Sequence, residues 1–152
     1  MGDFLLQLSM EKARFKRWEA IPVTLSFRNA GAEEIRLDGI LPLRDSANPP
    51  YLEIEADDGR LIRIESGVPA KLMSEEPIVI APGKSVVLLH VDLLDCAGWI
   101  RTRRGAERGD YGDTVDPLGP KMVPGEYEIR GIFHPTPESY RSATEPVGFV
   151  IL

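Results

Sequence analysis

One stretch narrows the choice of fold more than any other: Val123-Pro124-Gly125-Glu126-Tyr127-Glu128-Ile129-Arg130-Gly131-Ile132-Phe133. A Pro-Gly turn opens it. Behind the turn, Tyr127, Ile129 and Phe133 fall on one side of the chain while Glu126, Glu128 and Arg130 fall on the other. A period of two marks a half-buried β-strand, because successive side chains on extended backbone point to opposite faces. Pro82-Gly83 repeats the device ahead of Val86 to Leu93. There Val87, Leu89, Val91 and Leu93 are expected on the buried face, and His90 and Asp92 on the other beside Val86 and Leu88.

Other segments carry the same period. Phe4, Leu6, Leu8 and Met10 form a first strand, and Ile21, Val23, Leu25 and Phe27 alternate with Pro22, Thr24, Ser26 and Arg28 in a second. Between them, residues 11–19 carry Lys12, Arg14, Lys16 and Arg17 around Phe15 and Trp18; the run is too short to hold a helix and reads as a loop. Asn29-Ala30-Gly31 turns the chain. Ile35, Leu37 and Leu41 suggest a third strand, ended by Pro42 and a polar loop through Asn48-Pro49-Pro50. Pro77 to Ile80 is a short strand, and Val147, Phe149 and Ile151 form a closing one.

The hairpin around Asp57-Asp58-Gly59 can be tested for register. A two-residue Asp58-Gly59 turn would set Ile54 against Arg63 and leave the apolar residues of the two strands on opposite sides. A three-residue loop with Gly59 left-handed sets Ile54 against Ile62 and Leu52 against Ile64. Burying each isoleucine is worth roughly 1.5–3 kcal/mol, more than turn types differ by. The bulged three-residue loop is therefore expected.

With 152 residues, 14 glycines and 13 prolines, the chain suits one domain spanning 1–152, built of short strands and turns. A net charge of −6 argues against nucleic acid or an anionic membrane as partner, since both reward a basic face. No apolar run approaches the roughly 18 residues of a membrane span, and the start lacks the basic segment of a signal peptide, so a cytoplasmic location is expected. The single cysteine, Cys96, cannot form an intrachain disulfide and fits a reducing compartment. About eight or nine strands and no convincing helix argue for an all-β antiparallel sandwich, with a barrel as second choice. One long loop, about 96–122, shows no sustained period; connections beyond about 12–15 residues are usually functional or disordered.

The Pro-Gly-Glu-Tyr start of the 126–133 strand resembles the tyrosine corner of immunoglobulin-like and fibronectin type III domains, in which a tyrosine hydroxyl bonds back to upstream backbone. Tyr127 as a plain core aromatic is the alternative. Val23 to Asn29 followed by Gly31, the Asp58-Gly59 hairpin, Ile80 to Ser85 and Val123 to Tyr127 together resemble the bacterial intracellular proteinase inhibitor family and related immunoglobulin-like domains. The resemblance implies an immunoglobulin-like sandwich and, as one function, proteinase inhibition; the long loop departs from that compact pattern.

Chemistry finds little purchase. The two histidines, His90 and His134, sit on separate strands, and there is no Gly-x-Ser-x-Gly elbow. Asp92 and Asp95 beside Cys96 would raise its pKa and blunt it as a nucleophile. One cysteine and two distant histidines match no zinc spacing. Asp110, Asp113 and Asp116 recur at intervals of three but lack the every-second-residue spacing and closing glutamate of a calcium loop, so no metal or cofactor is expected and these three are only weak metal candidates. The binding candidates are Trp18, Trp99, Arg101, Arg103, Arg104 and Arg108, because tryptophan and arginine are enriched in binding hot spots and guanidinium suits carboxylates and aromatic faces. Strict alternation of strand direction would gather residues 11–18, 42–50, 66–76 and 94–123 at one end. The leading expectation is a non-catalytic domain that binds another protein, with a homodimer open. Proteinase inhibition comes second, and an enzyme using His90 or the aspartates last.

Overall fold

The computed structural model describes residues 3–40, 48–102 and 115–152. The fold is all-β: among the described residues helix is limited to single 3-10 turns at Ala70–Leu72, Gly119–Lys121 and Glu138–Tyr140. The strands in chain order are β1 (Phe4–Met10), β2 (Arg14–Phe15), β3 (Pro22–Asn29), β4 (Ile35–Leu37), β5 (Asn48–Ala56), β6 (Arg60–Ile64) and β7 (Ile78–Ile80). They continue with β8 (Ser85–Asp92), β9 (Ala97–Thr102), β10 (Val115–Pro117), β11 (Gly125–His134), β12 (Ser142–Ala143) and β13 (Val147–Ile151).

A small sheet has the order β1-β3-β8, and a large one β10-β9-β6-β5-β11-β13-β2 with β12 added on β11. β4 and β7 pair apart from both. Among the described residues, every ladder is antiparallel except β13 with β2. The alternation read in the sequence explains the packing. Val23, Leu25 and Phe27 of β3, Leu52 and Ile54 of β5, and Tyr127, Ile129 and Phe133 of β11 are buried in one shared core. Phe27 meets Phe133 edge to face at 5.7 Å between ring centroids. Gly131 lets the two sheets approach, since a Cβ there would lie 2.2 Å from Leu25 Cδ1.

The hairpin forms as its apolar residues require. Ile54 lies opposite Ile62 and Leu52 opposite Ile64, with Asp57, Asp58 and a left-handed Gly59 (φ 89°) between the strands. Burial of one face selects the register.

Five expectations need correction. First, Val87 is 42% exposed, not buried. The register shifts between Leu25, opposite Leu89, and Ser26, opposite Val87, so Leu88 is an extra residue in β8. Such a bulge turns Leu88 and Leu89 both inward and reverses the phase before it. Second, residues 11–19 are not simply loop: Arg14–Phe15 runs parallel to β13, and Phe15, 1% exposed, packs edge-on against Phe149. Two residues carry no period to read. Third, the strand begun at Ile35 ends at Leu37, and Leu41 lies outside the described residues. Fourth, the stretch 96–122 contains the β9–β10 pairing, which extends the large sheet from β6, while Leu118 and Met122 are fully buried. Its charges masked a strand in which Gly98 and Ile100 alternate with Trp99 and Arg101.

Fifth, the loops do not gather at one end. Arg17 Nη2 donates to Pro120 O at 3.4 Å, joining the first connection to the last part of the 94–123 segment. Asn48, however, pairs with His134, at the end of β11 remote from Gly125, so β5 begins at the opposite end, while residues 42–47 lie outside the described residues. Residues 66–76 instead run beside β8 and Ile40, with Gly67 O accepting from His90 N and Leu72 O from Ile40 N. The unread strands β2, β9 and β10, and the separate β4–β7 pair, upset the count of alternating directions.

Asn29 closes this arrangement. It is fully buried; its Nδ2 donates to Glu33 O (2.7 Å) and Ile80 O (2.9 Å), and its Oδ1 accepts from Gly31 N (3.0 Å). The side chain thus ties the turn after β3 to β7. An unsatisfied buried polar group costs about 1–3 kcal/mol. Asn29→Ala strands several, so urea unfolding should show a loss of at least about 2 kcal/mol; a change under about 0.5 kcal/mol would contradict this role.

Candidate functional site

Cross-strand partners share a face, so the outer side of the large sheet reads as rows. One row runs Val115, Trp99, Arg63, Glu53, Arg130, and the next Arg101, Leu61, Glu55, Glu128, Gly148. A third brings Glu126, Val150 and Arg14 together. These are the residues left outside when their neighbours enter the core.

The rows are partly locked. Arg130 donates from Nη2 (2.7 Å) and Nε (3.2 Å) to Glu53 Oε1, and that hydrogen bonding and charge raise the arginine pKa. The Arg63 guanidinium carbon sits 3.8 Å from the Tyr51 ring centroid, a cation–π contact, while Arg63 Nε is 2.7 Å from Glu65 Oε1. Half-buried Trp99 stands beside Arg63 in the same row. Aromatic, cationic and anionic groups are thus presented on a rigid sheet.

Toward β13 and β2 the face hollows into a groove of about 540 Å³, bordered by Arg14, Glu55, Asp57, Glu126 and Glu128 over Gly148. Gly148 makes the hollow, because a Cβ there would have no neighbour closer than Tyr127 O at 3.9 Å. A second hollow of about 210 Å³ adjoins it, sharing Glu55 and Glu128 and adding Glu53, Arg130 and Pro146.

The 57–59 hairpin is pinned at the groove's end. Asp57 N donates to Glu126 O (2.9 Å) and Glu126 N to Asp57 Oδ2 (3.0 Å). Arg60 donates to Asp58, to Lys121 O (2.6 Å) and to Tyr127 Oη (3.4 Å), and Tyr127 Oη donates to Val123 O at 2.5 Å. Partial burial pushes the Asp58 carboxyl up, but the Arg60 hydrogen bonds and charge outweigh it and hold Asp58 below its usual value. Burial raises the Tyr127 phenol against the opposing pull of Arg60.

Of the residues singled out in the sequence, Trp99 and Arg101 lie on this outer face. Trp18 does not: it sits in the turn between β2 and β3, 63% exposed and at φ 69°, with the Arg17 guanidinium carbon 4.6 Å from its ring centroid. A left-handed bulky residue is strained by about 1–3 kcal/mol. The turn is held by Glu19, which pairs with Lys12 and accepts from Lys16 N at 2.7 Å. Arg103, Arg104, Arg108, Asp110 and Asp113 lie outside the described residues. Asp116 is half-buried in β10 opposite Gly98. Among the described residues, no group of three or more His, Cys, Asp and Glu side chains is placed to hold a metal ion. Glu53, Glu55, Tyr51, Arg63 and Gly148 were missed in the sequence, where they read as the polar half of an amphipathic strand. Knowing which strands lie side by side in the large sheet would have been the missing signal.

The histidines are apart: His90 Nδ1 is 2.7 Å from Thr24 Oγ1 on the small sheet, and the His134 ring is 6.5 Å from Tyr51 on the large one. Cys96 is half-buried, and its thiol is pushed up to about 11, by burial first and by Asp92 and Asp95 second.

Comparison with known proteins adds little. No protein-family model and no curated protein matches the chain. Among solved structures, a β-glucosidase from Erythrobacter marinus aligns with 15% identity and a TM-score of 0.41 over 98% of this chain. The chain spans 15% of that enzyme's length. A likeness of this size carries no argument about activity. No helix among the described residues is long and apolar enough to cross a membrane.

The thiol makes a pH test. With its pKa raised to about 11, Cys96 is almost wholly protonated at pH 7–8 and should resist iodoacetamide in the folded protein. Alkylation followed by mass spectrometry should keep accelerating with pH up to about 11 in the folded protein, whereas in urea-unfolded chain it should level off above about pH 8.5. Equal rates folded and unfolded at pH 8 would show the thiol unshielded.

Proposed function

We propose that this chain is a non-catalytic, immunoglobulin-like β-sandwich domain that binds another protein through the outer face of its large sheet. The observation that carries the reading is the composition of that face. It combines Trp99, Arg101 and the Arg63–Tyr51 stack at one side with a hollow at the other that is ringed by four carboxylates, Glu55, Asp57, Glu126 and Glu128, against one cation, Arg14. Aromatic and arginine anchors beside a groove are what protein interfaces use, and a sheet holds them at little entropic cost. The partner surface that fits has Lys or Arg side chains for the carboxylates and an apolar side chain for the space above Gly148.

The immunoglobulin-like assignment draws support from Tyr127. It sits at the start of β11, and its hydroxyl donates back to Val123 O, the bond that defines a tyrosine corner. Two sheets sharing one core agree with that class. In such domains binding surfaces are loops or sheet faces on a rigid scaffold, and here the face has the chemistry.

Two measurements test these readings separately. Tyr127→Phe removes the corner bond while keeping the stacked ring, so it should lower stability by about 1–2 kcal/mol without altering binding. For binding, affinity capture with quantitative mass spectrometry should compare wild type with Trp99→Ala and Glu128→Lys, both on the face and outside the core. A partner held by wild type should fall at least about tenfold with either variant and weaken as salt rises. A partner retained equally by all three proteins would place the interface elsewhere.

A further inference from the structure

The edges of the sheets are protected unequally. On the large sheet, β10 has three residues and includes Pro117, and β2 has two residues. Short edge strands and proline both discourage a further strand. On the small sheet, β8 carries the bulge at Leu88, and Gly67 O already occupies His90 N. β1 has none of these devices. Phe4–Met10 pairs with β3 over seven residues without a register shift, and its sequence, FLLQLSM, has no charge, no proline and no glycine.

The hydrogen-bond phase of β1 follows from one contact. Ala30 N donates to Asp3 O, so Asp3 and Ala30 are a bonded pair of the ladder. Bonded pairs alternate in antiparallel sheets, so Leu5, Gln7 and Ser9 bond to β3. The N–H and C=O groups of Phe4, Leu6, Leu8 and Met10 point away from β3, and among the described residues no strand lies on that side. Leu5, 48% exposed, and Gln7 and Ser9 face solvent.

We infer that β1 pairs with β1 of a second copy of this chain, antiparallel about a twofold axis through Gln7, joining two small sheets into one. The register is set by the chain itself. With Gln7 opposite Gln7, Phe4 meets Met10 and Leu6 meets Leu8, so the free groups of one edge meet those of the other and each pair exchanges two hydrogen bonds. Side chains facing the core stay on that side of the extended sheet, and Leu5 meets Ser9 on the outside. Gln7 falls in a closely spaced, non-bonded pair whose two amides can bond to each other. The chain carries a net charge of −6, yet the seven paired residues are uncharged, and like charges meet only at the two ends, where Asp3 of each copy comes opposite Glu11 of the other. A foreign strand could use the same backbone groups, but the second copy also sets Leu6 against Leu8, Phe4 against Met10 and Gln7 against Gln7.

Sedimentation velocity on the wild-type chain from about 10 µM to about 1 mM should show a concentration-dependent dimer. Gln7→Lys and Gln7→Glu each put like charges face to face at the axis and should each weaken association at least about tenfold. An equimolar mixture of the two should recover a dimer through the Lys–Glu pair. Because Gln7 is exposed, both variants should melt as wild type does at concentrations where wild type is monomeric. In the wild-type dimer, amide exchange at Phe4, Leu6, Leu8 and Met10 should slow as concentration rises. A wild-type monomer throughout this range overturns the proposal and leaves the edge for a strand of another protein. Charge variants that dimerise like wild type, or a mixture that stays monomeric, overturn this register.

Discussion

The contact between β3 and β11 sets the spacing on which the remaining structure depends. Gly131 has no side chain, and Leu25 of the facing sheet occupies the room one would need. Phe27 and Phe133 then meet edge to face, and Phe4 stacks on Phe27 at 5.3 Å. Interiors pack as densely as organic crystals, so a close approach at one point fixes how far apart the sheets stand elsewhere. It also explains the bulge in β8. Once β3 is drawn against β11, the strand beside it gains most by turning both Leu88 and Leu89 inward, leaving Val87 to water. Leu89 faces inward with or without the bulge, so the exchange is Leu88, with partly buried Val86 beside it, for Val87, a gain of at least about one methylene, ~0.8 kcal/mol.

Where period and burial agree, the fold was legible. β3, β11 and β13 could be read from alternation alone, and the 57–59 hairpin followed because only one loop length buries all four aliphatic residues. Where burial overrides period, reading stopped. Val87 sits in a perfect alternation that the neighbouring strand does not honour. Phe15 is an aromatic set among charges with no alternation around it, and only the edge of β13 makes a strand of it. β9 was hidden for the opposite reason: Arg101 and Trp99 made its outer half conspicuous, while the inward half, Gly98 and Ile100, was too small to announce a strand.

The candidate site shows the same limit from the other side. Trp99 and Arg101 were visible because of their residue type, whereas Glu53, Glu55 and Glu128 looked like ordinary polar positions of half-buried strands. Alternation says that such residues face outward; it does not say that they share one sheet face. Only the order β6-β5-β11-β13 brings Glu55, Glu128 and Gly148 side by side, and only the missing side chain at Gly148 turns that row into a hollow. Trp18 illustrates the converse. A conspicuous residue can stand in a strained turn, stacked with its own neighbouring arginine.

Face and edge belong to different sheets, and that separation matters for how they would act together. Pairing through β1 lengthens the small sheet and leaves the outer side of the large sheet untouched, because β1 and the rows through Trp99 and Glu128 lie on opposite layers of the core. A twofold dimer would therefore display two outer faces. A partner able to span both would meet the second at an effective concentration set by the distance between them, so that weak contacts at each face add to a tighter whole without any new contact chemistry. A single small sheet of three strands gains in another way, since each copy covers the other's unpaired backbone groups, the property that otherwise makes an uncharged edge an aggregation hazard. Self-pairing and partner binding would then reinforce one another: closing the edge keeps the chain in solution, and duplicating the face strengthens what it holds.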